Sequence, residues 1–127
     1  MESDIPAAVV QFVGKHIRFL DQLEVLLLVS ALPDREWSVA AVDSVIRSNP
    51  QAVSRWLEGF VQSGIFSCSG DTGLYRYQPS SDELARSVAA LGATYKMSRH
   101  RIIDLIYSGP PSAIKSFSDA FRIRKQD

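Results

Sequence analysis

The apolar residues at the start of the chain recur at helical spacing. One stripe follows Pro6, a residue well tolerated in the first turn of a helix, and runs to Ile17. A second apolar series begins at Asp21, which can form a capping box with Glu24. Its middle, residues 25–29, is apolar on nearly all sides. The pattern therefore predicts two helices, of which the second is central and buried.

Two shorter helices are predicted next, joined by a tight turn. A very short strand at Trp37 comes first, and Ser38 is a good N-cap for the first of the two helices. Asn49 followed by Pro50 caps the second helix, and Gly64 ends it. The apolar residues of this second helix share one face, which leaves polar residues on the outer face: Gln51, Ser54, Arg55, Glu58 and Gln62.

The middle of the chain then changes to the pattern of a β-hairpin. Residues 65–69 and 74–78 are rich in β-branched and aromatic side chains and flank a glycine-containing turn. Ser80 and Glu83 can form a capping box for a long helix over about residues 82–107, which Gly109 ends. A short amphipathic stretch with Ile114 follows and leads into a basic tail.

The composition limits the number of domains and the kinds of partner. With 127 residues and 46% hydrophobic content, the chain is long enough for one compact domain. Its net charge is zero, so nucleic acid would have to be bound by a local patch. The single cysteine, Cys68, makes no internal disulfide, and the spacing of a zinc site is missing from the sequence. We expect no metal and no other cofactor.

The sequence gives no sign of a membrane segment or of a catalytic centre. The longest apolar run is far too short to span a bilayer, and the first residues are acidic where a signal peptide would be basic. A glycine-rich phosphate loop, a nucleophile elbow and paired carboxylates in an apolar setting are all missing from the sequence. We therefore expect a cytoplasmic protein that is not an enzyme.

The order helix, helix, tight turn, helix, hairpin over residues 21–78 resembles winged helix-turn-helix regulators, the group that includes the MarR-like and ArsR-like repressors of bacteria. The resemblance extends over a little under half of the chain, and the residues that carry it are 23–28, 37–39, 49–57, 64–66 and 75–77. It implies a mainly α fold with a small β-hairpin wing (α+β). One domain over residues 1–127 would contain a winged core at 21–79, an extra N-terminal helix, a long helix within 80–108 and an amphipathic basic tail at 109–127.

The resemblance also implies a function and a site. In the family the helix after the tight turn enters the major groove of double-stranded DNA, so Arg55 would bind guanine and Gln51 adenine. Arg76 on the wing would contact phosphate, as would Arg47. The full set of implied DNA-binding residues is Arg47, Gln51, Ser54, Arg55, Glu58, Thr72 and Arg76. The expected role is transcriptional regulation.

The charge distribution departs from this pattern and keeps a second function open. Residues 1–66 contain eight acidic and five basic residues, so this half of the chain is acidic. DNA binding depends on basic residues that neutralise phosphates. The alternative is a winged helix that binds a protein partner through its C-terminal helix and tail. Two basic clusters could serve DNA, an acidic protein surface or solvation alone: Lys96, Arg99 and Arg101, and then Arg122, Arg124 and Lys125.

Apolar residues of the predicted long helix step by four and three. This heptad-like seam comprises Leu84, Val88, Leu91, Tyr95, Ile102, Leu105 and Ile106. In MarR-like proteins the terminal helices build the homodimer, so the resemblance implies that the seam is a dimer interface. The alternative is that the seam packs on the chain's own first helices. Phe117 and Phe121 of the tail add apolar surface, which favours a dimer or another partner.

Overall fold

The computed structural model describes residues 5–108. Within them the chain forms helices and one hairpin in an order that matches the prediction. The elements are α1 (Ala7–His16), α2 (Leu20–Ala31), α3 (Val39–Ile46), α4 (Pro50–Gln62), β1 (Phe66–Cys68), β2 (Tyr75–Tyr77), α5 (Asp82–Met97) and α6 (Arg99–Ser108). The tail from residue 109 onward, with Phe117, Phe121, Arg122, Arg124 and Lys125, lies outside the described residues.

The caps of the two short helices are as predicted. The side chain of Ser38 accepts a hydrogen bond from the Ala41 N–H at 3.0 Å, and that of Asn49 accepts one from the Ala52 N–H at 2.8 Å. Each bond satisfies a backbone donor that the first turn of a helix leaves unpaired. Gly64 follows α4 with φ of +81°, a conformation that glycine adopts without strain. Local signals therefore fix both ends of α4.

Two predicted capping boxes are wrong. Helix α2 begins at Leu20, one residue before the predicted cap, and the Glu24 carboxylate accepts a hydrogen bond from the Tyr95 hydroxyl instead of folding back onto the first turn. Helix α5 is capped by Ser81, whose side chain accepts from the Leu84 N–H at 3.1 Å. Ser80 instead donates its backbone N–H to the Gly64 carbonyl. At the start of α2 it is the Gln22 side chain that folds back, accepting from the Arg18 N–H at 2.7 Å.

The helix predicted over residues 82–107 is two helices. The long helix is present as α5, but it ends at Met97, and Ser98 leaves the helical region with φ of −140° and ψ of 57°. The carbonyl of Ser98 then accepts hydrogen bonds from the N–H groups of Arg101 and Ile102, which begins α6. The heptad series therefore does not continue along one axis.

The hairpin is antiparallel, with Phe66 paired to Tyr77 and Cys68 to Tyr75. Trp37 forms an isolated bridge on the other side of β2, in which its N–H donates to the Tyr75 carbonyl at 2.7 Å and its carbonyl accepts from the Tyr75 N–H at 2.8 Å. This confirms the very short strand predicted at Trp37. The bridge attaches the start of α3 to the wing.

Helix α2 is the centre of the fold. It buries Leu23, Val25, Leu26 and Val29, and it contacts α3, α4, α5 and β2. This confirms the buried central helix predicted from its apolar run. Among the described residues, every side chain in the fully buried class is hydrophobic. Folding is thus driven by apolar burial and not by internal ion pairs.

The seam residues pack inside a single chain. Val88, Leu91, Ile102 and Leu105 are buried in the chain's own core, and Leu84, Tyr95 and Ile106 pack against that core as partly buried side chains. The break at Ser98 turns α6 back so that it contacts both α5 and α1. The burial of these four side chains within one chain is what the intrachain alternative predicts, and the interface stays a prediction. Homodimerisation itself stays a prediction.

Candidate nucleic-acid interface

The turn between α3 and α4 has an unusual backbone conformation. Arg47 ends α3 in the left-handed region, with φ of 61° and ψ of 47°, and its N–H donates to the Asp43 carbonyl at 2.7 Å. Only three residues separate the two helices, so this conformation sets the angle between them. For a residue other than glycine the conformation costs about 1 kcal/mol. The Arg47 side chain is exposed beside the first turn of α4.

Helix α4 has a buried face and an exposed face. Val53, Leu57 and Phe60 are buried against the rest of the chain. Gln51 and Arg55, four residues apart and so on one face, are exposed, and Ser54 beside them is half-buried. The first turn carries no acidic residue, so the positive end of the helix dipole is not neutralised there. This face of α4 presents hydrogen-bond donors and one cation to its surroundings.

Glu58 occupies the same helix but is engaged inside the chain. Its carboxylate accepts a hydrogen bond from the Tyr75 hydroxyl at 2.6 Å. Burial, and secondly this bond to Glu58, raise the pKa of the Tyr75 phenol above its ordinary value. The contact joins α4 to β2, the strand that also carries Arg76. Sequence spacing gave no sign of this contact, because the two residues are seventeen positions apart on different elements.

The wing exposes one arginine on its outer side. Tyr75 is buried and Tyr77 is half-buried, whereas Arg76 between them is exposed. Within the described residues, its guanidinium donates one hydrogen bond, to the Gln78 side-chain oxygen at 3.4 Å. At the tip, the Thr72 hydroxyl accepts from the Leu74 N–H at 3.3 Å. Thr72 is exposed and Gly73 closes the turn with φ of +70°.

Arg35 is a cation near the wing that the sequence analysis did not single out. Its guanidinium lies 3.9 Å from the centre of the Trp37 ring, in a cation–π contact. Because Trp37 pairs with β2, this arginine lies at the edge of the small sheet. The sequence signal that could have found it is its position two residues before the bridging tryptophan.

The first basic cluster lies away from α4, at the junction of α5 and α6. Arg99 donates to the Tyr95 hydroxyl at 2.9 Å and lies 3.8 Å from the Glu24 carboxylate. It thereby ties the start of α6 to α2. Lys96 and Arg101 are exposed on either side of it. The structure therefore does not bring this cluster together with the implied DNA-binding residues.

Other chemistry is sparse in the part of the chain that is described. There, no three side chains of histidine, cysteine, aspartate or glutamate are grouped as metal ligands. The His16 ring packs against the Phe12 ring in a tilted arrangement with ring centres 4.6 Å apart, and burial together with the nearby Lys15 lowers the pKa of His16. Cys68 is exposed on the wing. Over the same residues, no helix is long and apolar enough to cross a membrane.

Of three comparisons with known proteins, the one with solved structures found similar folds. No protein-family model and no curated protein matches the chain. Among solved structures, RV1404 from Mycobacterium tuberculosis is similar over 94% of this chain and 80% of its own, with 13% identity and a TM-score of 0.52. The multiple antibiotic-resistance repressor (MarR) from Listeria monocytogenes 4b F2365 covers the same shares at 13% identity, with a TM-score of 0.49.

A third similar structure is ZitR from Lactococcus lactis, with 14% identity, 91% of this chain and 92% of that chain covered, and a TM-score of 0.45. The similarity to RV1404 shows the fold alone. With tandem helices α3 and α4 followed by a two-stranded hairpin, the chain is a winged helix-turn-helix protein. This confirms the predicted fold class, with the predicted long helix divided into α5 and α6.

Proposed function

We propose that this protein binds double-stranded DNA through α4 and the wing and regulates transcription. One observation carries the proposal: α4 buries Val53 and Leu57 on one face and exposes Gln51 and Arg55 on the other. In helix-turn-helix proteins the second helix of the pair lies in the major groove and contacts base edges. Gln51 and Arg55 belong to the residue types that recognise adenine and guanine there.

Each exposed side chain has a separate role in this proposal. Arg55 donates two hydrogen bonds to guanine, and Gln51 pairs with adenine. Arg47 from the helix turn and Arg76 from the wing contact phosphates, with Thr72 and Ser54 as neutral donors. Glu58 holds Tyr75 and so fixes the wing beside α4, in place of the base contact that the resemblance implied. The protein has no catalytic role and acts in the cytoplasm as a single domain.

We also propose that the protein acts as a homodimer. The two arginines that contact phosphate in each chain neutralise little charge, whereas two copies on a symmetric site double that number. The exposed aromatic residues Phe19 and Tyr107, 51% and 60% accessible, offer a surface for the contact. They are neighbours, because the Leu20 N–H donates to the Tyr107 hydroxyl at 2.9 Å. Analytical ultracentrifugation of the protein and of a Phe19→Ser variant tests this: both remaining monomeric at micromolar concentration contradicts the dimer.

The test of DNA binding starts from a random duplex pool, from which the protein selects its preferred sequence. Fluorescence anisotropy on the enriched duplex then compares wild type with Arg55→Ala. The loss of a bidentate base contact costs about 1–3 kcal/mol, so we expect Kd to rise about 5- to 150-fold. Arg86→Ala is the matched control, since Arg86 is an exposed arginine on α5. Equal affinities for Arg55→Ala and wild type contradict the proposed recognition.

A second function is favoured by the scarcity of cations. No lysine occurs between Lys15 and Lys96, so the helix pair and the wing depend on arginines alone. A winged helix of this charge suits a protein partner as well as it suits DNA. Under this alternative no duplex is enriched from the pool, and a partner binds through the C-terminal helix and tail. Selection without enrichment, together with a partner captured by the full chain, supports it.

A further inference from the structure

A polar cavity lies between α1, the end of α4 and the start of α5. Its volume is about 340 Å³. Pockets that bind small molecules have volumes of about 300–1,000 Å³, so this cavity is near the lower end of that range. Phe12 and Leu84 form the apolar part of its wall. The polar part comes from six side chains: Gln11, Lys15, His16, Ser63, Glu83 and Ser87.

Helical spacing brings the polar side chains together. Gln11 and Lys15 are four residues apart on α1, so they share one face of that helix. Glu83 and Ser87 have the same spacing on α5. Helix α1 contacts α5, so the two faces meet at the cavity, and Ser63 completes the rim from the end of α4. One wall thus carries an ammonium group and the other a carboxylate.

The two charged groups of the cavity are unpaired in the part of the chain that the structure describes. Among those residues, neither the Lys15 ammonium nor the Glu83 carboxylate forms an ion pair or a side-chain hydrogen bond. Both side chains are exposed. Glu83 also belongs to the first turn of α5, where the helix dipole favours a negative charge. A bound molecule can thus pair with both charges without breaking an existing contact.

His16 adds a neutral polar group to the cavity. Its ring is half-buried and packs against the Phe12 ring. Burial, and secondly the nearby Lys15, lower the pKa of His16, so the imidazole is uncharged at neutral pH. A neutral imidazole donates one hydrogen bond and accepts another. Lys15 is therefore the cation of the α1 wall, and Glu83 is the anion opposite it.

We propose that this cavity binds a free amino acid with a short aliphatic side chain. The carboxylate of the amino acid pairs with Lys15, and its ammonium group pairs with Glu83. Its side chain packs on Phe12 and Leu84. A molecule with only one of the two charges would leave either Lys15 or Glu83 without a partner. The binding does not depend on DNA, and through Ser63 the bound molecule joins the end of α4 to α1 and α5.

NMR titrations of the full chain with L-alanine, L-valine and L-leucine test the proposal. We expect saturable shifts of the amide signals of Ser63 and Ser87 with at least one of the three. The signal of Ala40, an exposed residue of α3 that does not line the cavity, should not move. Absence of saturable shifts with all three amino acids at millimolar concentration, or shifts confined to residues outside the cavity, would overturn the assignment.

Charge variants test the role of each wall. Lys15→Met and Glu83→Gln each remove one charge and keep the length of the side chain. Lys96→Met is the matched control, since Lys96 is likewise an exposed lysine in the last turn of a helix. We expect each cavity variant to raise Kd at least about tenfold and Lys96→Met to leave it unchanged. Circular dichroism verifies that all three variants fold.

Analogues of the tightest-binding amino acid separate its two charges. One analogue lacks the amino group and the other lacks the carboxylate. We expect both to bind more weakly than the amino acid, the first without sensitivity to Glu83→Gln and the second without sensitivity to Lys15→Met. Either analogue binding as tightly as the amino acid, or an unchanged Kd of the amino acid in Lys15→Met or Glu83→Gln, would contradict the proposed pairing.

Discussion

The hydrogen bond between Tyr75 and Glu58 gives the sharpest test of how the wing is held against α4. Tyr75→Phe removes one hydroxyl and leaves the ring, which is buried. A hydrogen bond to a charged group contributes about 1.5–3 kcal/mol. Glu58 is exposed and can bind water when the hydroxyl is gone, so we expect a loss at or just below the low end of this range, about 1–1.5 kcal/mol.

The assay is urea unfolding followed by circular dichroism, arranged as a double-mutant cycle with Glu58→Gln. We expect a coupling energy of about 1 kcal/mol between the two positions. Tyr77→Phe is the matched control, since Tyr77 has no side-chain hydrogen bond among those found in the described residues. A coupling energy near zero, or an equal loss from Tyr77→Phe, would refute the contact.

The same bond predicts a dependence of stability on pH. Burial and then Glu58 raise the pKa of the Tyr75 phenol above its ordinary value of about 10. The folded chain therefore keeps the phenol proton where the unfolded chain loses it. This contribution to the unfolding free energy is fully present below about pH 10 and is lost as the pH rises through the raised pKa. Tyr75→Phe should lose less stability than wild type between pH 9 and pH 11.

Three further predictions concern other parts of the fold. Leu26→Ala on the central helix should lower the free energy of unfolding by about 2–5 kcal/mol in urea, and a loss below about 1 kcal/mol would show that α2 is not central. Arg47→Gly should relieve left-handed strain and raise thermal stability by up to about 1 kcal/mol while weakening binding to the selected duplex; a fall in stability contradicts the strained turn. Arg99→Ala should cost only about 0.5 kcal/mol and leave DNA affinity unchanged, and an affinity loss equal to that of Arg55→Ala would place Arg99 in the interface.

Much of the fold was predictable because its signals are local. Ser38 and Asn49 cap helices through bonds to residues three positions away, and Pro50 starts a helix by its own geometry. The hairpin follows from a glycine-containing turn between two β-prone segments. Each of these signals acts within a few residues, so the sequence alone contains it.

The errors lie where distant residues compete. Glu24 could have completed a capping box, but it bonds Tyr95 seventy-one residues away. The apolar stripe with Val88 and Leu91 has the same spacing whether it packs on a second chain or on its own chain, so the spacing could not predict that both side chains are buried within one chain. Ser98 gave no strong stop signal for α5, because neither proline nor glycine stands at the break.

The candidate site was predicted in the same uneven way. The exposed face of α4 follows from helical periodicity, so the exposure of Gln51 and Arg55 was foreseeable. The role of Glu58 was not, since its partner Tyr75 belongs to another element. The contact of Arg35 with Trp37 depends on side-chain conformation, which periodicity does not describe.

The measurement that tests the central claim most directly is fluorescence anisotropy of a labelled duplex from the gene's own upstream region. The protein is titrated at several salt concentrations beside a scrambled duplex of equal length. With phosphate contacts from Arg47 and Arg76 in each of two copies, we expect a preference for the upstream duplex and a slope of log affinity against log salt of about −4. Absence of binding to either duplex at about 20 mM salt, where phosphate contacts are strongest, would contradict the account.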